Sequence, residues 1–159
     1  MTLKAGDSIP AATLATMPEA GPKPLTTDEI FKGKKVVLCA VPGAFTPLCS
    51  GQHLPGYVKL AKEIKAKGVD TIACVSVNDV FVMGAWGKSQ GADEILLLAD
   101  GNAAFTKAMG LELDGTPMNL GIRSQRYAMI VDDGVIKTLQ VEEGRNFAVS
   151  NAESMLALL

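Results

Sequence analysis

Lys35-Val36-Val37-Leu38-Cys39-Ala40-Val41 runs from one lysine into six uninterrupted small or apolar residues, bounded by Gly33 and Pro42. A strand without polar alternation is covered on both faces, so this stretch predicts a central strand in a sheet flanked by helices. The residues that follow, Pro42-Gly43-Ala44-Phe45-Thr46-Pro47-Leu48, form a loop. A helical pattern then spans residues 49–67, with Leu60 and Ile64 on one face and Gly68 as a stop. Pro55 should kink or restart that helix, because it brings no backbone N–H.

Downstream, residues 70–77 repeat the buried-strand pattern, residues 79–90 read as a helix and residues 94–99 as a third strand. This alternation predicts a parallel core with helices on its faces. Asp100-Gly101 turns into a short helix at 103–109, and residues 111–124, with Gly115, Pro117 and Gly121, read as an exposed excursion. Residues 126–131 and 135–141 flank Asp132-Asp133-Gly134, a hairpin signal that adds an antiparallel edge and makes the sheet mixed. Ser150-Asn151-Ala152-Glu153 has the spacing of a capping box opening a terminal helix. The opening, with Pro10, Pro18, Pro22 and Pro24, reads as irregular. The expected fold class is α/β, one domain over residues 1–159 with no repeat or linker.

With 48% apolar and 20% charged residues the chain is globular, and its net charge of −2 offers no attraction to nucleic acid or anionic membrane. No stretch approaches the roughly 20 apolar residues that cross a bilayer. The first residues, Met1-Thr2-Leu3-Lys4-Ala5-Gly6-Asp7, carry no apolar leader, so a cytoplasmic protein is expected. Three cysteines are an odd number, unsuited to a disulfide scaffold. Cys39, Cys49, His53 and Cys74 match no zinc spacing, and no phosphate-binding loop occurs, so neither a metal nor another cofactor is expected. The absence of Cys-x-x-Cys argues against a disulfide oxidoreductase.

The candidate chemistry lies at the start of the 49–67 helix. A cysteine there meets unpaired N–H groups and the positive end of the helix dipole, which favour thiolate. An ordinary thiol with pKa near 8.5 is about 3% ionised at pH 7, so complete ionisation gains only about 30-fold. A fast nucleophile also needs fixed donors that stabilise charge as a bond breaks. Thr46 offers a hydroxyl, the amides near Leu48 and Cys49 can point inward, and an arginine can supply positive charge, Arg123 and Arg126 both being available. Pro42 and Pro47 stiffen the loop. His53 follows Cys49 by one turn, either as an imidazolium favouring thiolate or as a neutral wall of the pocket. Cys39, among Val37, Leu38, Ala40 and Val41, reads as a packing residue.

The segment Pro42 to Cys49 resembles the Pro-x-x-x-Thr-x-x-Cys signature of peroxiredoxins. His53-Leu54-Pro55-Gly56-Tyr57, Ser76-Val77-Asn78-Asp79, Phe81-Val82-Met83 with Ala85-Trp86, and Leu98-Ala99-Asp100-Gly101 resemble the type II, or five-type, subfamily. The resemblance implies a thioredoxin-like fold, with Cys49 as the peroxidatic cysteine, Pro42 and Thr46 as its loop partners and Arg126 as the catalytic arginine. Gly43, Leu48 and His53 would line the substrate site. The implied activity is reduction of hydrogen peroxide and alkyl hydroperoxides through a Cys49 sulfenic acid, regenerated by glutathione with glutaredoxin or by thioredoxin, in antioxidant defence. A homodimer is also implied. Plant type II members carry a resolving cysteine where Cys74 stands, so Cys74 is either that resolving thiol or a buried structural one. Residues 145–150 contain no cysteine to serve instead.

Overall fold

In the computed structural model, which describes residues 1–159, the apolar stretch at 35–41 lies inside a seven-stranded sheet. The first half of the chain forms β1 (Thr13–Thr16), β2 (Lys23–Thr26), α1 (Thr27–Phe31), β3 (Lys35–Val41), α2 (Leu54–Lys65), β4 (Thr71–Ser76) and α3 (Val80–Ser89). The second half forms β5 (Leu96–Ala99), α4 (Ala104–Met109), β6 (Glu112–Asp114), β7 (Ile122–Ser124), β8 (Tyr127–Asp132), β9 (Val135–Val141) and α5 (Ala152–Ala157).

The sheet order is β2-β1-β5-β4-β3-β8-β9. Strands β3, β4 and β5 are parallel, while β1, β2, β8 and β9 join antiparallel on the two sides. The sheet is therefore mixed, as the hairpin predicts. At its tip Asp133 and Gly134 both have positive φ, 48° and 78°, the backbone that a two-residue type I′ turn requires.

Alternate residues of β3 feed two cores. Val37, Cys39 and Val41 face the layer that holds Tyr57 and Ile64 of α2, Trp86 of α3 and Met155 of α5. Val36, Leu38 and Ala40 face a second layer with Phe31 of α1 and Phe105 of α4. Both layers exclude water from β3, which is why it tolerates no polar residue.

Four expectations are corrected. The opening is not irregular: β1 and β2 form a hairpin, with Pro24 tolerated because β2 is an edge strand, and Thr26 caps α1 in a capping box with Glu29. The excursion at 111–124 is largely exposed, as expected, but it is not without regular structure, since it contains the two-stranded ribbon β6–β7. The helix predicted over 49–67 starts two residues earlier, with an α-helical turn at Pro47 and Leu48, widens to a π-turn at Cys49–His53 and is α-helical again from Leu54. Lacking an N–H, Pro55 cannot continue the i to i−4 ladder, and the Leu54 amide reaches back five residues to the Cys49 carbonyl. Finally, the N-cap of α5 is Asn151, whose side chain accepts from the Ser154 amide, not Ser150 of the expected capping box.

Candidate active site

The parallel strands β3 and β4 end side by side at Val41 and Ser76, and the loop after each builds one wall of the site. After β3, the Ala44 amide donates to the Asn78 side-chain oxygen at 2.9 Å, and Ser76 Oγ donates to the same oxygen at 2.6 Å. Asn78 thus ties the two loops together. Phe45 takes a positive φ of 65°, which sends the chain back toward the helix start. Thr46 Oγ1 donates to the Gly43 carbonyl at 2.6 Å, and the Thr46 carbonyl accepts from the Ser50 amide at 2.9 Å. Ser50 is the first residue whose amide this turn satisfies, so the amides of Leu48 and Cys49 are those a helix start leaves open. On the far side, buried Trp86 donates its indole N–H to Ser50 Oγ at 2.9 Å and anchors the turn to α3.

Cys49 is 0% exposed. Arg126, immediately before β8, donates from Nη2 to Cys49 Sγ at 3.1 Å and from Nη1 to His53 Nδ1 at 2.8 Å. A guanidinium can only donate, so Nδ1 accepts and the imidazole proton sits on Nε2, which donates to the Ser150 carbonyl at 3.1 Å. His53 is therefore the neutral tautomer. Burial, then the Arg126 charge, push its pKa down to about 3, against opposition from the Ser150 hydrogen bond and Glu142. The imidazolium alternative is thereby removed.

The Ser150 carbonyl also accepts from Tyr57 Oη at 2.7 Å. Ser150 in turn donates its amide and its hydroxyl to Glu142 Oε2 at 2.8 and 2.7 Å. Amides of Ala148 and Val149 converge on the same carboxylate. Burial opposes ionisation of Glu142, but these hydrogen bonds outweigh it and hold the carboxyl below its ordinary range. The turn so formed lays Phe147 edge-on to His53, centroids 5.1 Å apart, with its ring 5.9 Å from the Arg126 carbon. A chain of contacts thus runs from Glu142 through Ser150, His53 and Arg126 to the sulfur.

A family model described as Redoxin matches residues 4–156. The chain is 53% identical over 164 residues to the chloroplastic Peroxiredoxin-2E-2 of Oryza sativa subsp. japonica, covering 99% of this chain and 73% of that protein. Peroxiredoxin-2E of Arabidopsis thaliana is 51% identical, with 99% and 70% covered. The chain belongs to the peroxiredoxins. Among solved structures, reduced Prx3 of Vibrio vulnificus in complex with H2O2 is 58% identical, covers 99% of both chains and superposes with a TM-score of 0.96.

The peroxiredoxin is thus a thiol-dependent peroxidase with a thioredoxin-like fold, acting on hydroperoxides with a thiol reductant. Of the residues singled out from its sequence, Cys49, Arg126 and His53 meet directly, and Pro42, Gly43, Thr46 and Leu48 form the loop leading to the sulfur. The Thr46 hydroxyl proton is committed to Gly43, not to the sulfur. Cys74 is not at the mouth: it lies fully buried in β4, between β3 and β5. Cys39 is buried in the core as expected.

Sequence reasoning missed Asn78, Glu142 and Ser150. Asn78 carried a signal, a short polar residue just past a buried strand, where side-chain caps of loops occur. Glu142 carried none, because its partners are backbone amides.

Proposed function

We propose that the Cys49 thiolate attacks the terminal oxygen of hydrogen peroxide or an alkyl hydroperoxide, breaking the O–O bond. The sulfur gains oxygen as a sulfenic acid, and the leaving oxygen departs as water or alcohol once it takes a proton. The observation that carries this reading is the Arg126 fork, which sets a full positive charge 3.1 Å from a sulfur screened from bulk water. There it also stabilises the charge that grows on the leaving oxygen. Neutral His53 holds the other arm of the fork and so fixes the guanidinium plane. Thr46 Oγ1 keeps lone pairs free to accept the peroxide O–H, and the open amides of Leu48 and Cys49 donate to its oxygens. Gly43 and Pro42 hold this loop.

Glutathione with glutaredoxin, or thioredoxin, returns the cysteine to thiol. Three free cysteines suit a reducing compartment such as the cytoplasm. Phe45, Phe81, Met118, Leu120 and Ile122 are exposed apolar side chains, which supports a homodimer that covers them. The decisive experiment replaces Cys49 with Ser: peroxide consumption with either reducing system should vanish, and turnover at the wild-type rate would remove the assignment.

A further inference from the structure

Two further thiols lie in the core beneath the proposed nucleophile. Cys39 of β3 and Cys74 of β4 are direct register partners on adjacent parallel strands. Both are fully buried, and both belong to the same side of the sheet as Cys49. Neighbouring strands run about 4.8 Å apart, and a disulfide spans Cα separations of roughly 4.4 to 6.8 Å, so the pair can close without dismantling the ladder. The Cys39 thiol, then burial, push the Cys74 thiol well above its ordinary range, and Cys49 and Arg126 are close enough to act on it as well. Cys74 therefore stays a protonated thiol while the site is closed and does not compete for peroxide.

We propose that Cys39 and Cys74 are a resolving dithiol, so that an oxidation begun at Cys49 ends as a disulfide across β3 and β4. The inference rests on Cys49 as the entry point. Peroxide first converts the Cys49 thiolate to sulfenic acid. Cys74 then attacks that sulfur: a Cys49–Cys74 bond forms, the S–O bond breaks, and hydroxide leaves as water with the Cys74 proton. Cys39 next attacks the Cys74 sulfur: a Cys39–Cys74 bond forms, Cys49 leaves as thiolate, and the Cys39 proton is released. In sum, one hydroperoxide and two thiols give alcohol or water, a second water and one disulfide. The sequence of steps asks the Cys49 π-turn, a single wide turn of five residues, to shift toward β4 and leaves the sheet ladder in place.

The arrangement has a countable consequence. Once the disulfide sits in the sheet, Cys49 is a thiolate again and takes a second peroxide before any reductant arrives. The fully reduced chain, kept free of reductant, is treated with one equivalent of hydrogen peroxide, alkylated, digested and mapped by mass spectrometry. The expected product is a Cys39–Cys74 peptide pair with Cys49 alkylated. Under limiting peroxide titration the wild type should consume two equivalents per chain and Cys39→Ala one, ending in the variant as a Cys49–Cys74 disulfide. A wild-type end product linking Cys49 to Cys74 overturns the proposal. So does a Cys49 sulfenic acid, trapped by a cyclic dione, with Cys39 and Cys74 both alkylated. Cys49→Ser separates the two readings: the Cys39–Cys74 link should no longer form, and its formation at the wild-type rate would refute Cys49 as the entry point. The wild-type mapping depends on no variant folding.

Discussion

Lowering the pH from 7 to 5 tests the neutrality of His53. In the folded chain its pKa is pushed down to about 3, whereas an unfolded histidine titrates near 6.5. Below pH 6.5 the unfolded chain takes a proton that the folded chain refuses, so stability falls as pH falls, through a window that closes near pH 3. The slope is about 1.4 kcal/mol per pH unit, which gives a loss of about 2 kcal/mol by pH 5 and about 5 kcal/mol over the whole window. Glu142 also loses stabilisation in acid, but only toward and below the ordinary carboxylate range, so the interval from pH 6.5 to 5 isolates the imidazole. Urea unfolding at half-unit steps, in the wild type and in His53→Gln, reads the slope directly, and the variant should be flatter by about one proton. Since the chain has one histidine, its ring resonances need no assignment and should report a neutral Nε2–H tautomer throughout. A ring that titrates near pH 6.5 in the folded protein, or equal slopes in the two proteins, would refute the account of the Arg126–His53 pair.

Arg126→Gln should slow Cys49 oxidation by at least about 10²-fold, the scale of losing one charge-stabilising donor. The fluorescence of Trp86, bonded to Ser50 beside the sulfur, offers a stopped-flow readout, and an unchanged rate would leave Arg126 without a part in the chemistry. Glu142→Gln removes the charged acceptor of the Ala148, Val149 and Ser150 amides and of Ser150 Oγ. It should cost about 2 to 3 kcal/mol in urea unfolding, and should slow oxidation less than Arg126→Gln does, because it acts only through the turn that holds His53.

The parts of the fold that were legible in the sequence are those governed by one local rule. The strand at 35–41 has only apolar interior positions because two core layers cover it, and Asp132-Asp133-Gly134 marks the β8–β9 hairpin because that turn needs positive φ. Strand β1 left too little pattern: Thr13-Leu14-Ala15-Thr16 is short and buries only Leu14 fully. The capping-box spacing at 150–153 misled because the Ser150 hydroxyl turns back to Glu142, eight residues earlier, and leaves the cap to Asn151. Within the site, the loop ending in Cys49 could be read because its prolines, threonine and cysteine are neighbours in sequence. Choosing Arg126 over Arg123 could not be settled from local pattern alone. Arg123 in fact braces the outside of the loops, donating to the Leu120 and Val77 carbonyls and standing against Gly43.

Why Arg126 and not Arg123 reaches the sulfur follows from the mixed sheet. Strand β8 runs antiparallel to β3 with Ala40 opposite Tyr127, so β8 begins at the end of the sheet where β3 finishes and the Cys49 loop starts. The residue just before β8 is therefore delivered to the helix start from far along the chain. Strand β9 returns antiparallel with Val141 opposite Tyr127, so Glu142 lands beside Arg126, its amide on the Arg126 carbonyl at 3.0 Å. Ligand sites in open parallel sheets gather at the carboxyl ends of the strands. Here two antiparallel strands bring an arginine and a carboxylate to that same end, one reaching the sulfur and the other the turn that orients it. A register slip of one residue between β3 and β8 would turn every β8 side chain to the opposite face. The full burial of Tyr127, Met129 and Val131 in one layer, and of Ala128 and Ile130 in the other, thus fixes where the Arg126 charge falls.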